Sequence, residues 1–226
     1  MQQRVEGEVV LAACPACLRG RHQFRRWARL DLALAGWTLG RWGQTGGADA
    51  WAARAARAWV AQLRAADRRP FLVLSGQVGT GKSSLAAAVL REAHDTLGWT
   101  GQFRTEPSAV QRFTRAVGAD KAQRPDAEDL ADVERAFRAV PLLVLDDLGG
   151  GRDTPFALER IFDLIDGRSR RLQATLVTMS VAPEALDERI ASRLDDATRC
   201  VRIEMRGRDR RGGAAINFRD WESRYD

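Results

Sequence analysis

Residues able to handle phosphate are concentrated in two short stretches. Ser75-Gly76-Gln77-Val78-Gly79-Thr80-Gly81-Lys82-Ser83-Ser84 contains the spacing GxxxxGK[ST]. Glycines in such a loop let successive backbone N–H groups wrap a phosphate chain, from Gly76 through Gln77, Val78, Gly79, Thr80 and Gly81 to Lys82, Ser83 and Ser84. The ammonium of Lys82 reaches the outer phosphates as a narrow point charge on a flexible stem, and the Ser83 hydroxyl is placed for Mg²⁺. Apart from Lys82 and Lys121, every basic side chain here is arginine; a position kept as lysine against that bias needs a group narrower than a guanidinium. The second stretch is Leu142-Leu143-Val144-Leu145-Asp146-Asp147, an apolar run ending in paired carboxylates. Asp146 is suited to the Mg²⁺ shell, and Asp147 to orienting or deprotonating a water that attacks the terminal phosphate; as a plainer alternative, Asp147 caps the turn into Gly149-Gly150-Gly151.

Each stretch requires a strand before it, and the first requires a helix after it. Phe71-Leu72-Val73-Leu74 reads as a buried strand running into the glycine loop. Lys82 to Leu97 reads as a helix with Leu85, Val89 and Ala93 on one face, whose N-terminus adds partial positive charge at the phosphates. Further strands are expected at 100–105, 142–145, 174–177 and 200–203. Helices are expected at 107–117, 127–139, from Thr154, and over 183–194. Fully apolar strands separated by helices predict an α/β fold, a parallel sheet covered on both faces. Upstream, Asp49 caps a helix whose Trp51, Ala55, Trp59 and Leu63 form an apolar stripe. Residues 1–47, rich in arginine and tryptophan, carry Gly36, Gly40, Gly43, Gly46 and Gly47, which read as loop or linker.

The 226 residues, 45% hydrophobic and 29% charged, suffice for one core and a short appendage. A net charge of +6 favours phosphate-bearing partners, although arginine is spread along the whole length. No apolar run approaches a membrane span, and Val9 to Ala13 is too short, and too acidic at Glu6 and Glu8, for a secretion signal. The chain is therefore read as cytoplasmic, without a membrane partner. Cys14-Pro15-Ala16-Cys17, with His22 nearby, has the spacing of half a zinc site; with no second CxxC and Cys200 far away, these are read as ordinary thiols rather than zinc ligands.

The loop GQVGTGKSS, the strand LLVLDDLG, the strand ATLVTMS, and ERIASRLDD followed by RGRDRR occur in an order that resembles the AAA+ ATPases of the DnaC/DnaI helicase-loader group and the related IstB transposition helpers. The resemblance covers about residues 48–211, leaving 1–47 as an N-terminal partner-binding segment and 212–226 as a tail too short for a helical lid. It implies a P-loop NTPase that binds ATP/ADP with Mg²⁺ and hydrolyses ATP slowly or on stimulation by a partner. It further implies an ATP-dependent homo-oligomer on single-stranded DNA that loads a DnaB-like replicative helicase or, in the alternative, assists a transposase.

By the same resemblance, Arg193 matches the arginine finger that reaches a neighbouring subunit's nucleotide, with Arg189 as the alternative. Arg211 matches the sensor-2 arginine, with Arg208 or Arg210 as alternatives. A finger supplied in trans argues against a small-molecule kinase. In helicase loaders the segment before the Asp-Asp strand contacts single-stranded DNA; the matching stretch here offers Arg112, Arg115, Lys121 and Arg124, with Phe113 as an aromatic, and reads equally as a solvated helix face. One position departs from the group. The strand that usually ends Thr-x-Asn reads Thr178-Met179-Ser180, so either Ser180 or Thr178 takes over the placing of the attacking water, and slow hydrolysis is expected.

Overall fold

The apolar runs are strands because each buries both of its faces. In β3 (Phe71–Gly76), Leu72 and Leu74 point into one core, while Phe71 and Val73 point into another. The same division runs through β5 (Leu142–Leu148), where Leu142 and Val144 face one way and Leu143 and Leu145 the other. β4 (Gly101–Thr105), β6 (Ala174–Met179) and β7 (Cys200–Met205) complete a parallel sheet of order β4-β5-β6-β3-β7. The computed structural model describes residues 2–5, 8–11, 24, 28–44, 48–117, 127–151 and 154–206.

Helices cover both faces, as expected of a wholly parallel sheet. On one face lie α1 (Leu32–Ala35), α2 (Leu39–Gly43), α3 (Ala48–Gln62) and α4 (Lys82–Leu97). On the other lie α5 (Glu106–Val117), α6 (Leu130–Ala139), α7 (Pro155–Arg170) and α8 (Glu188–Asp195). Local chemistry sets several starts. Thr154 accepts from the Ala157 N–H at 3.2 Å with Pro155 following, and Asp129 and Asp132 cap α6 reciprocally. A separate antiparallel hairpin pairs β1 (Gln2–Val5) with β2 (Glu8–Leu11). No helix among the described residues is long and apolar enough to cross a membrane.

The structure corrects four expectations. Gly36, Gly40 and Gly43 do not mark a linker: Gly36 caps α1, the other two lie in α2, and Leu39 and Trp42 are buried in the same core as α3 and α4. Trp51 is not core. It is 51% exposed, because the buried face of α3 is the one formed by Ala52, Ala56, Trp59, Val60 and Leu63; the many alanines left the sequence stripe ambiguous in phase. Asp49 lies inside the first turn of α3 rather than at its cap. The expected helix over 183–194 is a 3₁₀ turn (Pro183–Ala185) followed by α8.

No pattern along the chain announces Arg168, whose side chain is fully buried on α7. It donates to the carbonyls of Phe137, Val140 and Ala174 and to the Thr175 hydroxyl, so one guanidinium joins the end of α6, the approach to β5 and the start of β6. Burial pushes its pKa down to about 9. Arg168→Met is expected to strand these carbonyls and cost about 3 kcal/mol or more, read as a lower denaturation midpoint at unchanged m-value.

Candidate functional site

The glycine loop leaves β3 beneath the end of β7. Gly76 has φ +140°, and a Cβ there would sit 2.3 Å from the Met205 carbonyl oxygen, so only glycine permits this approach. Gly79 and Gly81 also have positive φ, and Gly81 caps α4. Thr80 folds the loop on itself, its hydroxyl donating to the Gln77 carbonyl at 2.8 Å. Lys82 is buried, with Nζ donating to the Gly76 and Gln77 carbonyls at 2.8 and 2.7 Å. The loop therefore gathers its ammonium and the α4 N-terminus at one point.

Across this point stand the paired carboxylates. β5 loses register with β6 between Leu145 and Leu148, and Asp147 takes φ +59°, a left-handed conformation that aspartate tolerates better than most residues. The irregularity buries Asp146 and leaves Asp147 exposed at the cleft. Burial pushes the Asp146 carboxyl above the usual aspartate range; hydrogen bonds from Thr178 and Ser83 and the charge of Lys82 oppose this, and Asp147 adds to it.

Thr178 links the pair. Its hydroxyl donates to Asp146 Oδ1 at 2.7 Å and accepts the Asp147 N–H at 2.9 Å, a double duty that one hydroxyl can perform. Ser180 lies farther along the cleft wall. Of the two residues read as replacing the asparagine, Thr178 is the one bonded to the Asp-Asp element. Glu106, a residue the sequence reading passed over, is buried and accepts the Gly149 N–H at 2.7 Å, fixing the turn after Asp147. Only its place, where the edge strand β4 ends beside β5, gives it this role.

The cleft has a volume of about 620 Å³ and takes in Val78, Gly79 and Gly81 to Ser84 on one side and Asp146, Asp147, Thr178 and Ser180 on the other. The rest of its wall is Thr105 and, from the N-terminal segment, Leu34, Trp37 and Trp42. The Trp37 ring carries the Arg41 guanidinium 4.6 Å from its centre. In the sequence this tryptophan-rich segment reads as linker and partner contact.

Mg²⁺ holds few protein ligands and keeps water and phosphate oxygens in its shell, and the adjacent Asp146 carboxylate and Ser83 hydroxyl fit that need. When bound, the ion would neutralise charge developing on the phosphates. Among the described residues there is no group of three or more histidine, cysteine or acidic side chains placed to hold a metal ion.

Other expected residues fall elsewhere. Arg193 does not line this cleft; with Phe162, Glu188, Arg189 and Ser192 it lines a second groove over α7 and α8. Arg189 is clasped by Asp187 through Nε and Nη2 and lies 4.8 Å from the Phe162 ring centre. The nucleic-acid reading of α5 is corrected in part, since Arg112 is clamped onto Glu128 over the Phe137 ring and Phe113 is core. Arg115 is exposed. Lys121, Arg124, Arg208, Arg210 and Arg211 lie outside the described residues, as do Cys14, Cys17 and His22.

A glycine loop between a strand and a helix, facing two acids on the next strand but one of a five-stranded parallel sheet, is the arrangement of the α/β fold that AAA+ P-loop NTPases share. No family model and no curated protein matches the chain. Solved structures do share its fold. The DnaC helicase loader is 21% identical with a TM-score of 0.58, over 71% of this chain and 92% of that one. A primosome component from Streptococcus pyogenes serotype M3, so described provisionally, is 22% identical with a TM-score of 0.61, over 80% and 92%. The replication initiator DnaA bound to AMPPCP and single-stranded DNA is 16% identical with a TM-score of 0.63, over 79% of this chain; the chain spans about half (52%) of its length.

Thr178→Val keeps the shape and removes the hydroxyl, leaving Asp146 and the Asp147 N–H without it. A loss of about 1–3 kcal/mol in denaturant unfolding is expected, with Thr178→Ser close to wild type.

Proposed function

We propose that the protein is an AAA+ ATPase of DNA replication that binds ATP with Mg²⁺, assembles into a homo-oligomer on single-stranded DNA, and delivers a replicative helicase. The observation that carries the nucleotide part is the convergence of Lys82, Ser83, Asp146, Asp147 and Thr178 on one cleft at the C-terminal ends of the strands, where ligands bind in open parallel sheets. In this reading the loop amides and Lys82 bind the phosphates, Ser83 and Asp146 hold the metal, and Asp147 orients the attacking water with Thr178 or Ser180 beside it. Arg193 serves the nucleotide of the next subunit, which agrees with its position away from its own cleft; Arg211 serves as sensor 2.

The loader part is supported by likeness in fold to the DnaC helicase loader along nearly the whole of that chain. The likeness to replication proteins favours this reading over a transposase helper. Residues 1–47 supply the helicase contact in this reading, with 28–44 anchored in the ATPase core.

ATP with Mg²⁺ is expected to raise the melting temperature of the wild type, as any ligand of the native state does, and to leave Lys82→Ala unmoved. Equal stabilisation of both proteins would refute the nucleotide site. Arg193→Ala is expected to keep this stabilisation while losing hydrolysis by about 10³-fold or more under assembling conditions. The loader reading predicts a complex of the full chain with its host's replicative helicase in ATP, seen by size-exclusion light scattering; no complex at any nucleotide condition would reject it.

A further inference from the structure

We infer that Asp166 is the positioning residue for Arg193, holding its guanidinium by one edge so that the other edge faces a neighbouring subunit. The inference rests on the reading of Arg193 as a finger supplied in trans. Asp166 projects from α7 and is only 11% exposed in its side chain, whereas the side chain of Arg193 is 39% exposed. Arg193 Nε donates to Asp166 Oδ1 at 2.8 Å. The second carboxylate oxygen is taken by Arg170 at 2.8 Å, on the next turn of α7. One mostly buried acid thus balances two arginines, and it engages Arg193 through Nε alone. A guanidinium held this way keeps both Nη groups for a further acceptor, and paired N–H groups suit the oxygens of a phosphate.

Arg189, on the same groove, provides the contrast. Its Nε and Nη2 both close on Asp187, and its face is covered by Phe162. Arg189 has spent the edge that Arg193 keeps. The two arginines are equivalent in the sequence ERIASR, and the carboxylates facing them set them apart: Asp187 belongs to the same helix cap, while Asp166 comes from another helix. Holding from α7 also ties the reach of Arg193 to the element that follows the Asp146-Asp147 strand.

Mixed subunits test this. Lys82→Ala subunits retain Arg193, Arg193→Ala subunits retain the nucleotide site, and mixing the two restores hydrolysis where they meet. Asp166→Ala added to the Lys82→Ala subunit is expected to cut the restored rate by about ten-fold or more with unchanged KM for ATP, since small misplacements of a reacting group are costly. The same substitution added to the Arg193→Ala subunit is expected to leave the restored rate as it was. Asp166→Asn, which keeps the shape and an acceptor for Nε, is expected to fall between the two, and thermal melts check that each variant is folded. Equal losses on both sides would make Asp166 structural, and no loss on the Arg193 side would leave it without a role; either overturns the inference alone. If Arg193→Ala by itself leaves hydrolysis intact, the finger reading fails and takes this inference with it.

Discussion

The parallel pairing of β5 with β6 is the constraint on which the site depends. It sets Asp146 and Asp147 on one strand against Thr178 on the other, with Ser180 just past that strand's end, and it is secured at both ends by side chains. At the start of the strands Arg168 collects the carbonyls of Phe137, Val140 and Ala174. At the finish the Thr178 hydroxyl spans the break in register, replacing lost ladder bonds with one bond to a carboxylate and one from a backbone amide. A buried acid is costly unless its oxygens find partners. Asp146 obtains them here from Thr178 and Ser83, next to the charge of Lys82, and so remains available to a cation.

The break in register has a chemical consequence. In an unbroken strand, neighbouring side chains point to opposite faces, and Asp146 and Asp147 could not both serve one cleft. The left-handed conformation of Asp147 turns the chain so that both do, one acid buried and the other exposed. Strain of this kind persists where the surroundings over-determine it. Glu106 and the turn at Gly149 supply that determination from the adjacent strand end.

The N-terminal helices alter how the chain divides. Trp42 and Leu39 complete the core over α3 and α4, and Trp37 and Leu34 reach the wall of the phosphate cleft. A segment expected to face a partner also lines the cleft. Any contact made by this segment outside the cleft thereby shares an element with the contact made inside it.

Lys82, Ser83 and Asp146 were legible because loop, strand and helix signals lie within a few residues of the groups they position. The sheet and its two-sided cover were legible for the same reason, as runs such as LLVLDD declare both burial and the point where burial ends. The sequence by itself thus determined the phosphate loop, the class of fold and the acids opposite the loop. Only the tertiary structure showed that Thr178, and not Ser180, bonds the Asp-Asp element, that Arg193 meets Asp166, and that Trp51 lies outside and Trp42 inside. It alone brought Glu106, Asp166 and Arg168 into the account. Each of these rests on a partner tens of residues away or on the phase of an alanine-rich helix. Side-chain partners at such separations are chosen by packing, and packing has no period to be read along the chain.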